Sequence, residues 1–135
     1  MRTKKILLLL SISALGIVSV ILPVLFLPDL KHYESPLFPL LRTGFEEMSL
    51  WSFVFLFLAG LIGRLFVNLP GWKIGLLTIV FFPLAAIFEM IVDPTSHNLF
   101  PIEFFFYALY SIPAMLGAYI IQGIESFDPN KKIKK

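Results

Sequence analysis

Residues 50–67 read LWSFVFLFLAGLIGRLFV and residues 74–92 read IGLLTIVFFPLAAIFEMIV, with only NLPGWK between them. Each run has the roughly 17–25 apolar residues that a helix needs to cross the hydrocarbon core of a bilayer. In lipid a helix satisfies its own backbone hydrogen bonds, so both runs are expected to be transmembrane helices. Asn68-Leu69-Pro70-Gly71 is a compact breaker, and a turn that short makes the two helices antiparallel neighbours.

Working outward, two more runs have the same character, Ile6–Leu27 and Phe104–Ile124. The expected fold is therefore all-α: a polytopic bundle of four transmembrane helices, up-down-up-down. The chain has 135 residues, of which 58% are hydrophobic, and a mean hydropathy of +0.87. The tails and connections left over are too short for a separate soluble core, so residues 1–135 read as one integral membrane domain.

Charge sets the expected orientation. Arg2, Lys4, Lys5, Arg64, Lys73, Lys131, Lys132, Lys134 and Lys135 fall on one side of the four spans, and only Lys31 and Arg42 on the other. Positive residues collect on the cytoplasmic side, which puts both termini inside, in the cell (plasma or inner) membrane. The basic tail suits anionic lipid headgroups. No basic face interleaved with aromatics exists, so nucleic acid is not an expected partner. The N-terminal Met1–Lys5 and leucine run also has the form of a signal peptide. The apolar stretch, however, continues to Leu27, beyond the roughly 7–15 residues of a signal core, and an uncleaved first span is expected.

The connections carry their own signals. Pro23 and Pro28 stop the first helix, and Thr43 with Glu46 has capping-box spacing that predicts a second helix from about Gly44. Leu37, Phe38, Leu40, Leu41 and Phe45 are too apolar for a solvated loop and are expected in the headgroup zone or folded over the bundle. Asp93-Pro94 ends the third helix, and Pro101 suits the first turn of the fourth. Asp29, His32 and Leu37-Phe38-Pro39 are echoed by Asp93, His97 and Leu99-Phe100-Pro101. Such an echo can mark a duplicated hairpin, one route to a transporter fold, or simply a chain rich in Leu, Phe and Pro.

Few side chains inside the spans can do chemistry. Glu89 lies about one turn below the outer end of the third span. A charge there costs roughly 2.5–3.5 kcal/mol, so it should face protein, water or the interface, as a proton- or ion-binding carboxylate or a structural acid. Tyr107 and Tyr110 lie at similar depth and are candidate hydrogen-bond donors to it. Arg64 is its cytoplasmic-side counterpart, expected either to reach headgroup phosphates or to pair with Gln122 or Glu125. His32, His97 and Asp93 are weak metal candidates without a dedicated ligand spacing, because Pro94 interrupts the helix that would align Glu89, Asp93 and His97. No cofactor is expected. Pro83 and Pro113 fall mid-span, as kinks or hinges. Ala108, Ser111, Ala114, Gly117 and Ala118 form a small-residue stripe for helix packing, within the bundle or between copies.

Absences narrow the function. The chain has no cysteine, no phosphate-binding glycine loop and no nucleophile elbow. Ser11, Ser13, Ser19 and Ser111 stand in spans without a buried histidine to activate them. The expected role is a non-enzymatic packing or accessory subunit, with a protein partner or a homo-oligomer in the bilayer. The alternatives are a small oligomeric proton- or cation-coupled transporter using Glu89, and an outer-leaflet lipid-modifying enzyme using Glu89, Asp93 and His97.

Overall fold

A computed structural model describes residues 2–97 and 99–127; Lys131, Lys132, Lys134 and Lys135 lie outside them. The described residues form helices and turns with no strand. In order they are α1 (Arg2–Val24), α2 (Pro39–Glu46), α3 (Leu50–Phe66), α4 (Gly71–Ile79), α5 (Phe81–Val92), α6 (Phe100–Tyr110) and α7 (Ile112–Phe127). Two stretches, Thr3–Val24 and Phe100–Phe127, are long and apolar enough to cross a membrane. Up to four are, if each of the bent pairs α2–α3 and α4–α5 counts as one span.

The breaks follow the prolines. Pro83 has no N–H to give the carbonyl of Ile79, and the helix divides just upstream at Val80 with a 42° bend between α4 and α5. Pro113 leaves a milder mark. The amide of Ser111 turns to the carbonyls of Ala108 and Leu109, after which Phe100–Phe127 runs on as a single span.

The start of α3 differs from expectation. Ser49 is its N-cap, accepting from the Ser52 amide while the Ser52 side chain accepts from the Ser49 amide. Thr43 and Gly44 lie instead inside α2, an eight-residue helix that begins at Pro39 and meets α3 at 104°. Thr43 Oγ1 is taken by the amide of Tyr33 at 3.0 Å, so it cannot cap a helix. The apolar outer connection folds back in part: Leu41 and Phe45 pack on a core of Val20, Leu56, Ile79, Phe82, Ala86, Tyr107 and Ala114, whereas Leu37, Phe38 and Leu40 are exposed. A second cluster, Ile12, Val67, Ile74 and Ala118, fills the other half of the bundle.

Small residues set the helix spacing. A Cβ placed on Gly60 of α3 would lie 2.6 Å from the carbonyl carbon of Ala114 on α7, and one on Gly16 of α1 would lie 2.8 Å from Thr78 Cα on α4. Backbones approach this closely only where no side chain stands between them, and lipid offers no hydrophobic push that would replace such packing. Ser111, Ala114, Gly117 and Ala118 are all buried within the bundle, whereas Ala108 is exposed. Most of the stripe is therefore used inside the chain, and these positions are closed to a second copy.

The loop echo does not become a structural repeat. Pro39 opens a short helix lying across α3, whereas Pro101 opens a helix that continues into α7. His32 is exposed and His97 buried.

Candidate functional site

The polar groups of the spans gather into two clasps, one at each end of the bundle. One, at the end that the charge pattern predicts to face outward and named the outer clasp for that reason, is centred on Glu89, in the last turn of α5 and 2% exposed. Asp93 caps that helix, its amide donating to the Glu89 carbonyl at 2.8 Å. Its carboxylate accepts from the amide (2.9 Å) and the hydroxyl (2.7 Å) of Thr95, and these bonds hold the Asp93 carboxyl below the ordinary aspartate range. The amide of Ser96 then donates to the Asp93 carbonyl, which closes the turn and returns the chain over α5.

That return delivers His97, 6% exposed, onto two carboxylates. Nε2 lies 2.7 Å from Glu89 Oε2, and Nδ1 lies 2.5 Å from Glu103 Oε2 on the first turn of α6. The other oxygen of Glu89 accepts from the outer connection, from the Ser35 hydroxyl and from the Phe38 amide at 2.9 Å. Two segments, the outer connection and the turn that carries His97, thus converge on one carboxylate. Beside it Arg42 Nη1 donates to the Ser96 carbonyl at 3.2 Å, tying α2 to the same turn.

Under this network lies a cavity of about 30 Å³, lined by Arg42, Glu46, Glu89, His97, Glu103 and Tyr107 over an apolar floor that includes Phe82 and Ala86. A water molecule needs at least roughly 10–15 Å³ of such space, so the cavity admits one or two waters and no organic solute. Outside it a recess of about 840 Å³ is open to solvent between Tyr33, Ser35, Arg42, Asp93 and Ser96, with His32 on its rim. Tyr33 donates its hydroxyl to Glu47 Oε1 at 2.9 Å; that bond to an anionic acceptor, with lesser help from desolvation and charge, raises its pKa above the ordinary tyrosine value.

The candidates separate accordingly. Tyr107 lines the cavity with Glu89, while Tyr110 is turned into an aromatic stack with Phe45, Phe53 and Phe106. Neither donates to Glu89, whose acceptor sites are met by Ser35, Phe38 and His97. His32, His97 and Asp93 are not brought together, and among the described residues no group of three or more acids and histidines is arranged to hold a metal ion. The His97 contacts are also too close for an ion between the partners, since two ligands on one zinc, each at about 2.0–2.2 Å, stand further apart.

Sequence reasoning missed Ser35, took Phe38 only as part of the apolar connection and not as a donor to Glu89, and treated Pro94 as separating His97 from Glu89. The proline does end the helix. The Asx turn after it, signalled by Asp93-Pro94-Thr95, then folds His97 back onto the turn it has left.

The inner clasp belongs to Arg64, near the end of α3 and 9% exposed. Its guanidinium turns into protein: Nη2 meets Glu125 Oε2 at 2.5 Å and Nη1 the Leu69 carbonyl at 2.6 Å, while Nε is buried without a partner among the described residues. Gln122 is spent elsewhere, accepting from the first amide of α4, Gly71, at 3.1 Å. The span hydroxyls are similarly occupied: Ser13, Ser19 and Ser111 donate to carbonyls one turn back in their own helices. In comparison with known proteins, no family model, curated protein or solved structure matches this chain.

Proposed function

We propose that the chain is a four-span integral membrane protein of the cell membrane, both ends in the cytoplasm, acting as a non-enzymatic packing or accessory subunit of a membrane assembly. The observation that carries this reading is the consumption of its polar groups. Glu89, His97 and Glu103 bind one another and the outer loops, and Arg64 binds Glu125 and Leu69, so the clasps fix helix ends, and the cavity beside Glu89, at about 30 Å³, is too small for an organic solute. A protein partner or a further copy then has the exposed apolar faces to use, such as Trp51, Leu58 and Leu65 on α3 or Leu116 and Ile120 on α7.

The lipid-modifying enzyme is the weaker reading. Ser35 bonds to the carboxylate of Glu89 and not to the imidazole, so the imidazole that would take up its proton is not in contact with it. The transporter reading has one observation in its favour, a buried Glu–His pair beside a cavity that admits water, and that limits its coupling species to a proton or a small ion.

Glu89→Gln distinguishes the two. The amide oxygen can accept from Ser35 and Phe38 while its NH2 donates to His97, so the clasp should persist. The accessory reading expects expression, detergent oligomer size and cell phenotype equal to wild type. Loss of proton-linked flux in proteoliposomes with assembly intact would overturn it in favour of the transporter.

A further inference from the structure

The outer clasp obeys a proton count. A bare ring nitrogen and a bare carboxylate oxygen both present lone pairs, so each of the two contacts of His97 needs one proton. Two contacts require two protons among His97, Glu89 and Glu103. An imidazolium between two carboxylates meets that count, as does a neutral imidazole with one carboxyl protonated, and either way the trio carries a net charge of −1. Removing one proton leaves a neutral ring between two carboxylates. One contact then sets lone pair against lone pair, and the charge becomes −2 where the side chains of His97 and Glu89 are 5% and 3% exposed. Burial of unpaired charge on that scale is strongly unfavourable.

From this count we infer that Glu89, His97 and Glu103 form a binding site for one exchangeable proton, and that this proton latches the outer segment Ser35–Glu46 over the cavity. The segment is held by groups that depend on the trio. Ser35 and Phe38 donate to Glu89, and Arg42 donates to the carbonyl of Ser96, the neighbour of His97. The charged and titratable groups facing the trio are Arg42 and Glu46 from α2 and Tyr107 from α6. Arg42 offsets the single negative charge of the protonated trio, and Glu46 adds to the burden when that charge doubles. Deprotonation drives His97 off one carboxylate, the turn carrying Ser96 moves with it, and the tie to Arg42 breaks. The proton passes to water in the outer recess, which Ser35, Arg42 and Ser96 border.

The sign follows from the count. The closed cover binds two protons on the trio, and the open one binds a single proton on a hydrated neutral ring. Rising pH therefore favours opening, by up to about tenfold in the equilibrium constant per pH unit. The latch works alike in a subunit or a transporter.

Absence of native cysteine allows clean spin labelling of the full chain at Leu40→Cys on α2 and Ile91→Cys on α5, both exposed. In lipid nanodiscs the pulsed-EPR distance between the labels should be single at about pH 5 and gain a longer component towards about pH 9. Glu103→Gln should abolish that response with the cover shut. Its amide can donate to Nδ1 while a neutral ring donates from Nε2 to Glu89, so no second proton is needed. His97→Gln cannot bridge both carboxylates through two ring nitrogens and should show the longer component at every pH. A wild-type distance unchanged across this range, or a Glu103→Gln variant that opens as wild type does, would overturn the latch. A merely structural hydrogen bond would be weakened by Glu103→Gln, not freed from pH.

Discussion

Gly60 offers the sharpest test of how the bundle is held. On Gly60→Ala the new methyl would stand over the backbone of Ala114, 2.6 Å from its carbonyl carbon and 2.7 Å from its Cα, with ordinary contact beginning at 3.4 Å. Backbone cannot rotate away as a side chain can, and the carbonyl oxygen of Ala114 lies closer still than its carbon, so α3 and α7 must part by more than about 0.8 Å. A radial gap of about 0.5–1 Å forfeits a quarter to a half of each dispersion contact it opens. The partner stripe, Ala114 and Ala118, is fully buried, and Gly117 meets Phe57 and Leu61 of the same helix, so the loss spreads along the interface. Overpacking of this kind costs about 1–3 kcal/mol, a 5- to 150-fold shift towards the unfolded state. Alanine also improves helix propensity over glycine by up to about 1 kcal/mol, which works the other way. Gly123→Ala isolates that term, because a Cβ there meets nothing within 4 Å on the same α7. Reversible unfolding in mixed detergent–lipid bicelles, read by far-UV circular dichroism, should place Gly60→Ala below wild type and Gly123→Ala at or above it. Equal stability of the two variants would refute the claim that bare backbone contact sets the spacing of α3 and α7.

Two further outcomes follow from the clasps and the charge pattern. Arg64→Leu takes the guanidinium from the Glu125 carboxylate and the Leu69 carbonyl, which should lower stability by about 1–3 kcal/mol in the same assay, and Arg64→Leu with Glu125→Leu should recover the part due to the carboxylate. A single variant as stable as wild type would show the pair to be idle. For orientation, reporters active only in the cytoplasm, fused before Met1 and after Lys135, should both be active; one silent end would require an odd number of crossings.

Much of this protein was legible in the order of its residues. Apolar run length, proline and glycine punctuation, and the side on which Arg and Lys gather are local or additive properties, so they predict all-helical structure, the turn at Asn68–Gly71 and the end of the helix before Asp93 without any contact being known. The breaks near Pro83 and Pro113 were legible for the same reason, because a missing N–H acts within one turn. The start of α3 was misread, since Thr43–Glu46 and Ser49–Ser52 both have capping chemistry and only the fold-back of α2 onto the core engages Thr43 elsewhere.

What the residues alone predict is a chain of apolar helices, with Glu89 and Arg64 as the one acid and the one arginine inside the expected spans. Tertiary structure decided where those charges spend themselves: Glu89 on His97, Ser35 and Phe38, and Arg64 on Glu125, across sequence separations that no periodicity encodes. It also decided that Ala114 and Gly117 of the small-residue stripe lie against α3, while Ala108 stays exposed. A charge inside a span must find a partner, because desolvation makes leaving it bare costly. Which partner it finds depends on how the chain returns after a turn, and that return is set by packing.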